Sequence, residues 1–318
     1  MLRALIYTKG KLREESDLSL VAKAAANRSN TVWLDVDSPD GAEVEAVARA
    51  FGIHQLSVED MTRLYQRPKA EPFEHYALVI VRSFMKDDPS QTVQLNFILS
   101  SNYLITLSFE PVAPQDDFYE KARQNPYLLS LGADYLLYAV MDKVVDDYFP
   151  IAGDITEKLD LLEDAVFQNP DESLLNGVFE TKKQLFAFRK EVQPVRDIAN
   201  ALSRREIKFV RQSNAPYFRD VYDHMVRILD NIELNRDLVS NIMDAYLSAV
   251  SNNLNKSMKR IAAISTILMP PTLLASAFGM NFRVIPEADW DYGFYLIIAV
   301  MVVMVLGSFW YFRKKDWL

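Results

Sequence analysis

The sequence predicts an α/β domain, followed by a very long helix and two membrane-spanning helices. Strand-like and helix-like apolar patterns alternate over residues 1–149. No proline or glycine interrupts the chain between Pro216 and Pro270. Two stretches without any charged residue, 261–282 and 292–312, follow toward the C-terminal end. Each has the roughly 20 residues that a helix needs to cross a bilayer.

The composition excludes several classes of function. The chain holds no cysteine, so disulfides, thiolate metal sites and cysteine nucleophiles are ruled out. A formal net charge of −8 argues against a nucleic-acid partner, because phosphate binding needs a basic face. The three histidines are too scattered for a zinc-enzyme motif, and nothing resembles a catalytic constellation, so we do not expect an enzyme. The first residues lack an apolar signal core, so no cleaved targeting peptide is expected.

Residues 1–149 are predicted to form the α/β domain. Strand patterns occupy 2–7, 31–36 and 76–84, and a hairpin over 93–109 turns at Ser100-Ser101-Asn102. Helical patterns occupy 41–51, 115–125 and 133–149. The mixture of both patterns within one stretch indicates an α/β class.

Residues 150–210 are predicted to form a helical hairpin that turns at Asn169-Pro170-Asp171. The first arm is acidic and the return arm is basic, through Asp154, Glu157, Asp160, Glu163 and Asp164, then Lys182, Lys183, Arg189 and Lys190. A charge run of this kind is usually a solvated helix face. The alternative is an acidic collar that attracts cations or meets the basic tail of the chain.

Residues 215–260 are predicted to form a stalk helix. Pro216 suits the first turn of a helix. Apolar residues keep a helical spacing at Ile228, Ile232, Val239, Ile242, Tyr246 and Val250. Two or three shorter helices are the alternative, but no glycine or proline breaks the stretch. We therefore predict one long helix.

The flanks of the spans 261–282 and 292–312 predict their orientation. Basic residues lie before the first span and after the second: Lys256, Lys259, Arg260, Arg313, Lys314 and Lys315. The connection 283–291 is acidic, with Glu287, Asp289 and Asp291 against one arginine. Because basic flanks stay inside, both termini and the tail 313–318 are expected in the cytoplasm. The expected location is the inner or plasma membrane, with 283–291 as an outer loop.

The first span carries a polar and methionine-rich face, named here the stripe. Its members recur at steps of three or four: Asn255, Met258, Ile261, Ser265, Met269, Thr272 and Ser276. Such a face can line an ion path, and several chains would then be needed to enclose it. Alternatively, small and hydroxylated residues pack helices together. Periodicity alone does not decide between these. Pro270 and Pro271 remove backbone donors, so a kink is expected there.

The first span ends in the motif Phe278-Gly279-Met280-Asn281-Phe282. The asparagine amide oxygen is a neutral acceptor that can face a hydrated cation, and magnesium gives up its water reluctantly. A lone Gly-Met-Asn tripeptide would be weak evidence for a cation site, because an asparagine soon after a glycine is common at helix ends. Here the motif closes a charge-free span and precedes an acidic loop, a second span and a basic tail, which together are specific.

This constellation resembles the CorA family of magnesium transporters, and the resemblance covers most of the chain. The matching stretches are 59–60, 66–69, 145–149, 217–224, 244–248, Met269-Pro270 and 314–318. The resemblance implies a mixed sheet sandwiched by helices and a homopentameric funnel. It implies uptake of Mg²⁺, with Co²⁺ and Ni²⁺ also passing, and Mg²⁺ as both the transported and the regulatory ion. Phe278 stands where the family usually has tyrosine, and Pro271 is an additional proline.

The resemblance also implies roles for single residues. Gly279, Met280 and Asn281 would form the selectivity filter, and five members of the stripe would line the path: Asn255, Met258, Ile261, Met269 and Thr272. Divalent-ion sites between subunits would use Glu59, Asp60, Asp142, Asp220, Asp223 and His224. Spacing alone favours a simpler interpretation of Asp220, Asp223 and His224, as an ordinary polar helix start. Loss of the regulatory ion would separate the subunits and open the path.

Two other functions stay open at this point. The nearest alternative is a zinc or cobalt transporter of the same superfamily, although Met280 favours magnesium. A second alternative is a membrane-tethered sensor that passes no ion, against which the stripe argues. The expected partners are divalent cations, the lipid bilayer and further copies of the chain.

Overall fold

The computed structural model describes residues 1–318 except 64–65, 86–90, 169, 281–289 and 318. The described chain divides into two compact units. The first comprises Met1–Glu163 and Leu175–Ser240, and the second comprises Asp164–Leu174 and Asn241–Leu318.

In the described residues of the first unit, seven strands form one mixed sheet. The strands are β1 Leu2–Thr8, β2 Lys11–Glu15, β3 Thr31–Asp37, β4 Lys69–Pro72, β5 Ala77–Phe84, β6 Thr92–Leu99 and β7 Tyr103–Ser108. Their order across the sheet is β2-β1-β3-β7-β6-β5-β4. Strands β3 and β7 run parallel, with Val32 opposite Tyr103, and the other neighbours are antiparallel.

Helices cover both faces of this sheet. They are α1 Leu18–Ala26, α2 Gly41–Phe51, α3 Gln55–Thr62, α4 Ala113–Gln124, α5 Tyr127–Ser130 and α6 Ala133–Asp146. One face packs Leu34 and Ile105 against apolar residues of α1, α2 and α3. On the other face, Trp33 contacts the rings of Phe118 and Tyr119 in α4. Every residue of β5 is buried, as expected for an inner strand that is covered on both sides.

Three further helices follow: α7 Tyr148–Gln168, α8 Glu172–Ser203 and α9 Ala215–Phe278. The predicted hairpin corresponds to α7 and α8. The prediction of one long helix is confirmed, because α9 has 64 residues and continues through Pro270 and Pro271. The last helix, α10, spans Gly293–Lys314. Among the described residues, α9 and α10 are long and apolar enough to cross a membrane. The predicted kink in α9 stays a prediction.

The sequence patterns located the buried strands and missed five elements. The strands predicted at 2–7, 31–36 and 76–84 and the hairpin over 93–109 are present, with the hairpin turn between β6 and β7. The missed elements are β2, α1, α3, β4 and the single turn α5. Strands β2 and β4 lie at the two edges of the sheet; β2 is mostly charged and β4 is half charged and ends in proline, so they lack the apolar alternation that identifies a strand. Helix α3 is short and polar, and the imidazole of His54 caps its start.

Candidate metal centre and membrane stripe

Helices α6 and α9 are held side by side at their N-terminal ends by an ion pair. Nη2 of Arg211 lies 2.6 Å from Oδ1 of Asp134, and its backbone N–H donates to Oδ2 at 2.9 Å. The side chain of Asp134 is only 2 % exposed. The side chain of Asn214 adds a bond to the carbonyl of Leu131 at 3.1 Å. Gly132 has φ +93°, and the guanidinium of Arg211 fills the space that a Cβ would need.

Aromatic rings continue this contact along the two helices. The rings of Tyr138 in α6 and Tyr217 in α9 lie 4.9 Å apart, and Tyr135 is 5.3 Å from Tyr217. One turn further along each helix, Asp142 follows Tyr138 and Asp220 follows Tyr217. The packing of the tyrosines therefore brings the two carboxylates to the same place.

Asp142, Asp220 and His224 form what we name the three-residue site. Their ligand atoms all lie within 4.8 Å of one another. Nδ1 of His224 is 4.0 Å from Oδ1 of Asp142, and its Nε2 is 3.9 Å from Oδ2 of Asp220. These separations are too long for hydrogen bonds. One ion can take only one of the two nitrogens of His224, and with one ligand atom from each residue the set stays within 4.8 Å. Bonds of about 2.0–2.2 Å place neighbouring ligand atoms roughly 3–4 Å apart, so a small adjustment would let all three residues reach one divalent ion.

The polar atoms at the centre of the three-residue site are left without partners. Oδ1 of Asp142 and Nδ1 of His224 are buried and make no hydrogen bond to any described residue. The ring of Phe149 lies 5.6 Å from that of His224, nearly perpendicular to it. Buried polar atoms normally have partners. A divalent cation between the two atoms would supply what both lack.

The electrostatic surroundings of Asp142 also favour the binding of a cation. Burial raises the pKa of Asp142, and the negative charges of Asp146 and Asp220 raise it further, while His224 acts in the opposite direction. The carboxylate is thus held where its ionised form is disfavoured. A bound divalent ion would reverse that preference.

The ligand types fit a divalent cation but do not select one metal over the others. Two carboxylates suit Mg²⁺, which prefers oxygen ligands, whereas an imidazole nitrogen suits Co²⁺, Ni²⁺ and Zn²⁺. Asp220 is 60 % exposed, so water or a neighbouring chain can complete the coordination. Within the described residues, no other three His, Asp or Glu side chains come this close.

The other predicted metal ligands lie outside the three-residue site. Asp223 is exposed. Glu59 pairs with Arg63, the residue directly after α3, at 2.6 Å, and Asp60 pairs with Lys69 at 2.7 Å. Sequence reasoning gave no role to these two basic residues. Lys69 had a signal, because it belongs to the stretch 66–69 that resembles the family.

The second unit contains the stripe. Every stripe residue is exposed in the single chain, with Met258 at 66 % and Met269 at 73 %. The opposite side of α9 is the covered one: Ala263 and Ile267 are buried, and Pro270, Pro271, Leu274 and Phe278 are half-buried. Helix α10 has a single covered side as well, at Gly293, Ile297, Met301, Val305, Ser308 and Phe312. Two helices that pack together show this pattern, and it leaves the stripe on the free face of α9.

The filter motif is described only in part. The N–H of Gly279 donates to the carbonyl of Ala275 at 3.0 Å, which closes the last turn of α9. A Cβ at Gly279 would lie 3.2 Å from that same oxygen, so a larger residue would crowd the helix end. Met280 is exposed. Asn281 and Glu287 lie outside the described residues.

The fold and these features define a membrane protein with two spanning helices, an α/β domain and a candidate divalent-cation site. Comparison with known proteins gives the family. The family model described as "CorA-like Mg2+ transporter protein" matches residues 28–314. The chain therefore belongs to the CorA-like Mg²⁺ transporter family.

Relatives and solved structures agree with this assignment. The cobalt/magnesium transport protein CorA of Thermotoga maritima is 36 % identical, over 99 % of this chain and 95 % of its own. The protein of the same name from Methanocaldococcus jannaschii is 23 % identical over 90 % of this chain and 91 % of its own. The complete structure of the CorA magnesium transporter from M. jannaschii matches with a TM-score of 0.83 at 21 % identity, over 100 % of this chain and 99 % of its own. This likeness confirms the predicted fold class of mixed-sheet domain, long helix and two apolar helices.

Proposed function

We propose that this protein is a magnesium channel that takes up Mg²⁺, and also Co²⁺ and Ni²⁺, under control of internal Mg²⁺. The observation that carries the proposal is the stripe on the free face of α9, in a chain of the CorA-like family. A helix that only anchored a domain would need no such face. The curated relatives named above are magnesium and cobalt transport proteins, which agrees with this ion class.

The ion path runs along the stripe. Asn281, with Gly279 and Met280, forms the filter and faces the water shell of the incoming ion. Inward from the filter, Ser276, Thr272 and Ser265 offer hydroxyl groups. The path is narrowed by the apolar side chains of Met269, Ile261 and Met258. Such a constriction closes when water leaves it and opens when water enters. Asn255 lies at the inner end.

The path requires more than one chain. A single stripe has only one wall, and its exposed apolar members need cover. We propose a homopentamer, as the family resemblance implies, with the second span outside the first. Both termini face the cytoplasm, because the basic residues flank the two spans on that side. The acidic connection with Glu287 then faces outward and concentrates cations at the entrance.

Control lies at the three-residue site, together with Glu59 and Asp60 of a neighbouring subunit. A bound divalent cation would supply the positive charge that these carboxylates need. Without it, Asp142 and Asp220 repel each other and the acidic residues of the neighbour, which favours separation of the subunits. The balance between closed and open assemblies then follows internal Mg²⁺.

Flux into proteoliposomes tests this proposal, with Mg²⁺, Co²⁺ and Zn²⁺ supplied in turn. We expect Mg²⁺ and Co²⁺ to enter with the wild type and to lose most of their flux with Asn281→Ala. Asn253→Ala is the matched control, because Asn253 is exposed on the side of α9 opposite the stripe. Flux of Zn²⁺ alone would favour the zinc transporter, and absence of all flux would favour the sensor.

A further inference from the structure

The carboxylate of Asp60 is already occupied by groups of its own chain. Its Oδ2 lies 2.7 Å from Nζ of Lys69, and its Oδ1 accepts from the side chain of Gln66 at 3.1 Å. The ammonium of Lys69 also reaches Glu71 at 2.9 Å. A divalent ion that binds Asp60 must therefore displace this ammonium or tolerate it as a neighbour.

Asp60 and Lys69 are both held in place by the secondary structure and are largely buried. Lys69 is the first residue of β4 and stands opposite Ile80 in the sheet. Asp60 lies in α3, and its backbone carbonyl accepts from Gln94 of β6 at 3.1 Å. The side chains of Asp60 and Lys69 are only 20 % and 28 % exposed. The contact is therefore only partly screened by water.

The neighbouring pair of Glu59 and Arg63 differs in these respects. Both residues belong to the region of α3 at positions i and i+4, and their side chains are 48 % and 67 % exposed. An exposed pair of this kind is weak and easily exchanged for water. Lys69 should therefore oppose the binding of a divalent ion to Asp60 more strongly than Arg63 opposes binding to Glu59.

We propose that Lys69 is a built-in competitor for the divalent ion at Asp60. Its ammonium neutralises the carboxylate in the ion-free protein and lowers the ion affinity of the site between subunits. The site then fills only when internal Mg²⁺ is high. This inference rests on the proposed regulatory role of Asp60 and adds the residue that sets its threshold.

The size of the effect follows from Coulomb's law. A single positive charge and a divalent cation about 6 Å apart in water repel each other enough to change an affinity about tenfold. Lys69→Met removes the charge and keeps the apolar stem. The Mg²⁺ concentration at half-maximal response should therefore fall about tenfold in this variant.

A Mg²⁺ titration of thermal unfolding, on the full chain in detergent micelles, tests the inference. We expect the midpoint to fall about tenfold for Lys69→Met, and to stay near the wild-type value for Lys69→Arg, which keeps the charge. Lys183→Met is the matched control for loss of one positive charge, since Lys183 forms an exposed 2.7 Å pair with Glu180 in α8. Should Lys69→Met fail to fold, Lys69→Gln, which retains a donor for Asp60, should lower the midpoint in the same way.

A fourth variant separates this inference from the proposed function. Asp220→Ala removes a ligand of the three-residue site and should abolish the Mg²⁺ response. A response that survives unchanged in Asp220→Ala would overturn the proposed regulation itself. A response lost in Asp220→Ala, with an unchanged or higher midpoint in Lys69→Met and Lys69→Gln, would overturn only the role of Lys69.

Discussion

Asp142 is a carboxylate whose surroundings oppose its charge. Burial and the neighbouring charges of Asp146 and Asp220 raise its pKa from the ordinary value of an aspartate. A group whose pKa is higher in the folded than in the unfolded state stabilises the fold below its unfolded pKa. That contribution is lost as the pH rises through the folded pKa. At neutral pH and without ions, Asp142 therefore costs stability.

The variant Asp142→Asn tests this cost. In ion-free solution at neutral pH, we expect it to raise the free energy of unfolding by up to about 1 kcal/mol, an ordinary size for a single substitution. The gain should vanish below about pH 4, where the unfolded carboxyl is protonated as well. Urea unfolding with a chelator present measures both values. A loss of stability at neutral pH would contradict the assignment, whereas saturating Mg²⁺ should make the wild type the more stable of the two.

Sequence reasoning reached the three-residue site only in part. The spacing placed Asp220, Asp223 and His224 on one turn of a predicted helix, and the structure brings Asp220 and His224 together. Asp223 seemed to belong to the same cluster, but it is exposed and outside the site. Asp142 entered only through the family resemblance, because spacing shows which side chains share a helix face and not which helix lies opposite. The pairing of Asp60 with Lys69 was missed for the same reason.

Between elements, the contact of α6 with α9 depends on the ion pair of Arg211 with Asp134. Asp134 lies about two turns before Asp142 on α6, and Arg211 lies in the connection just before α9, so the pair is separate from the ligands. Patterns in the sequence predicted both helices, since α9 lacks internal proline up to Pro270 and α6 has a clear apolar face. Their relative position could not be predicted, because it rests on a bond between residues far apart in the chain.

The variant Arg211→Gln should loosen the three-residue site without removing a ligand. We expect a loss of about 2 kcal/mol in stability, because Asp134 would keep a buried charge with fewer donors. We also expect a higher Mg²⁺ midpoint in the thermal titration. Arg204→Gln, an exposed change in the connection between α8 and α9, serves as the control. An unaltered midpoint in Arg211→Gln would show that the site does not depend on this contact.

At the scale of the whole molecule, the single chain is incomplete. The stripe is exposed in the single chain, as are the apolar surfaces of α9 and α10 that are long enough to span a bilayer. Asp220 of the three-residue site is exposed as well. Lipid and further copies of the chain would cover these surfaces. The two spans were predictable from hydropathy alone, because bilayer thickness sets their length. The number of chains in the assembly was not predictable, because a pattern within one sequence does not specify how many copies associate.

The most direct test of the account is Mg²⁺ influx into proteoliposomes that are loaded with either low or high internal Mg²⁺. We expect high internal Mg²⁺ to suppress influx through the wild type several-fold. Asp220→Ala, which removes a ligand of the three-residue site, should keep its influx under the same condition. Equal suppression in both proteins would contradict control by this site, and absence of influx in both would contradict the channel itself.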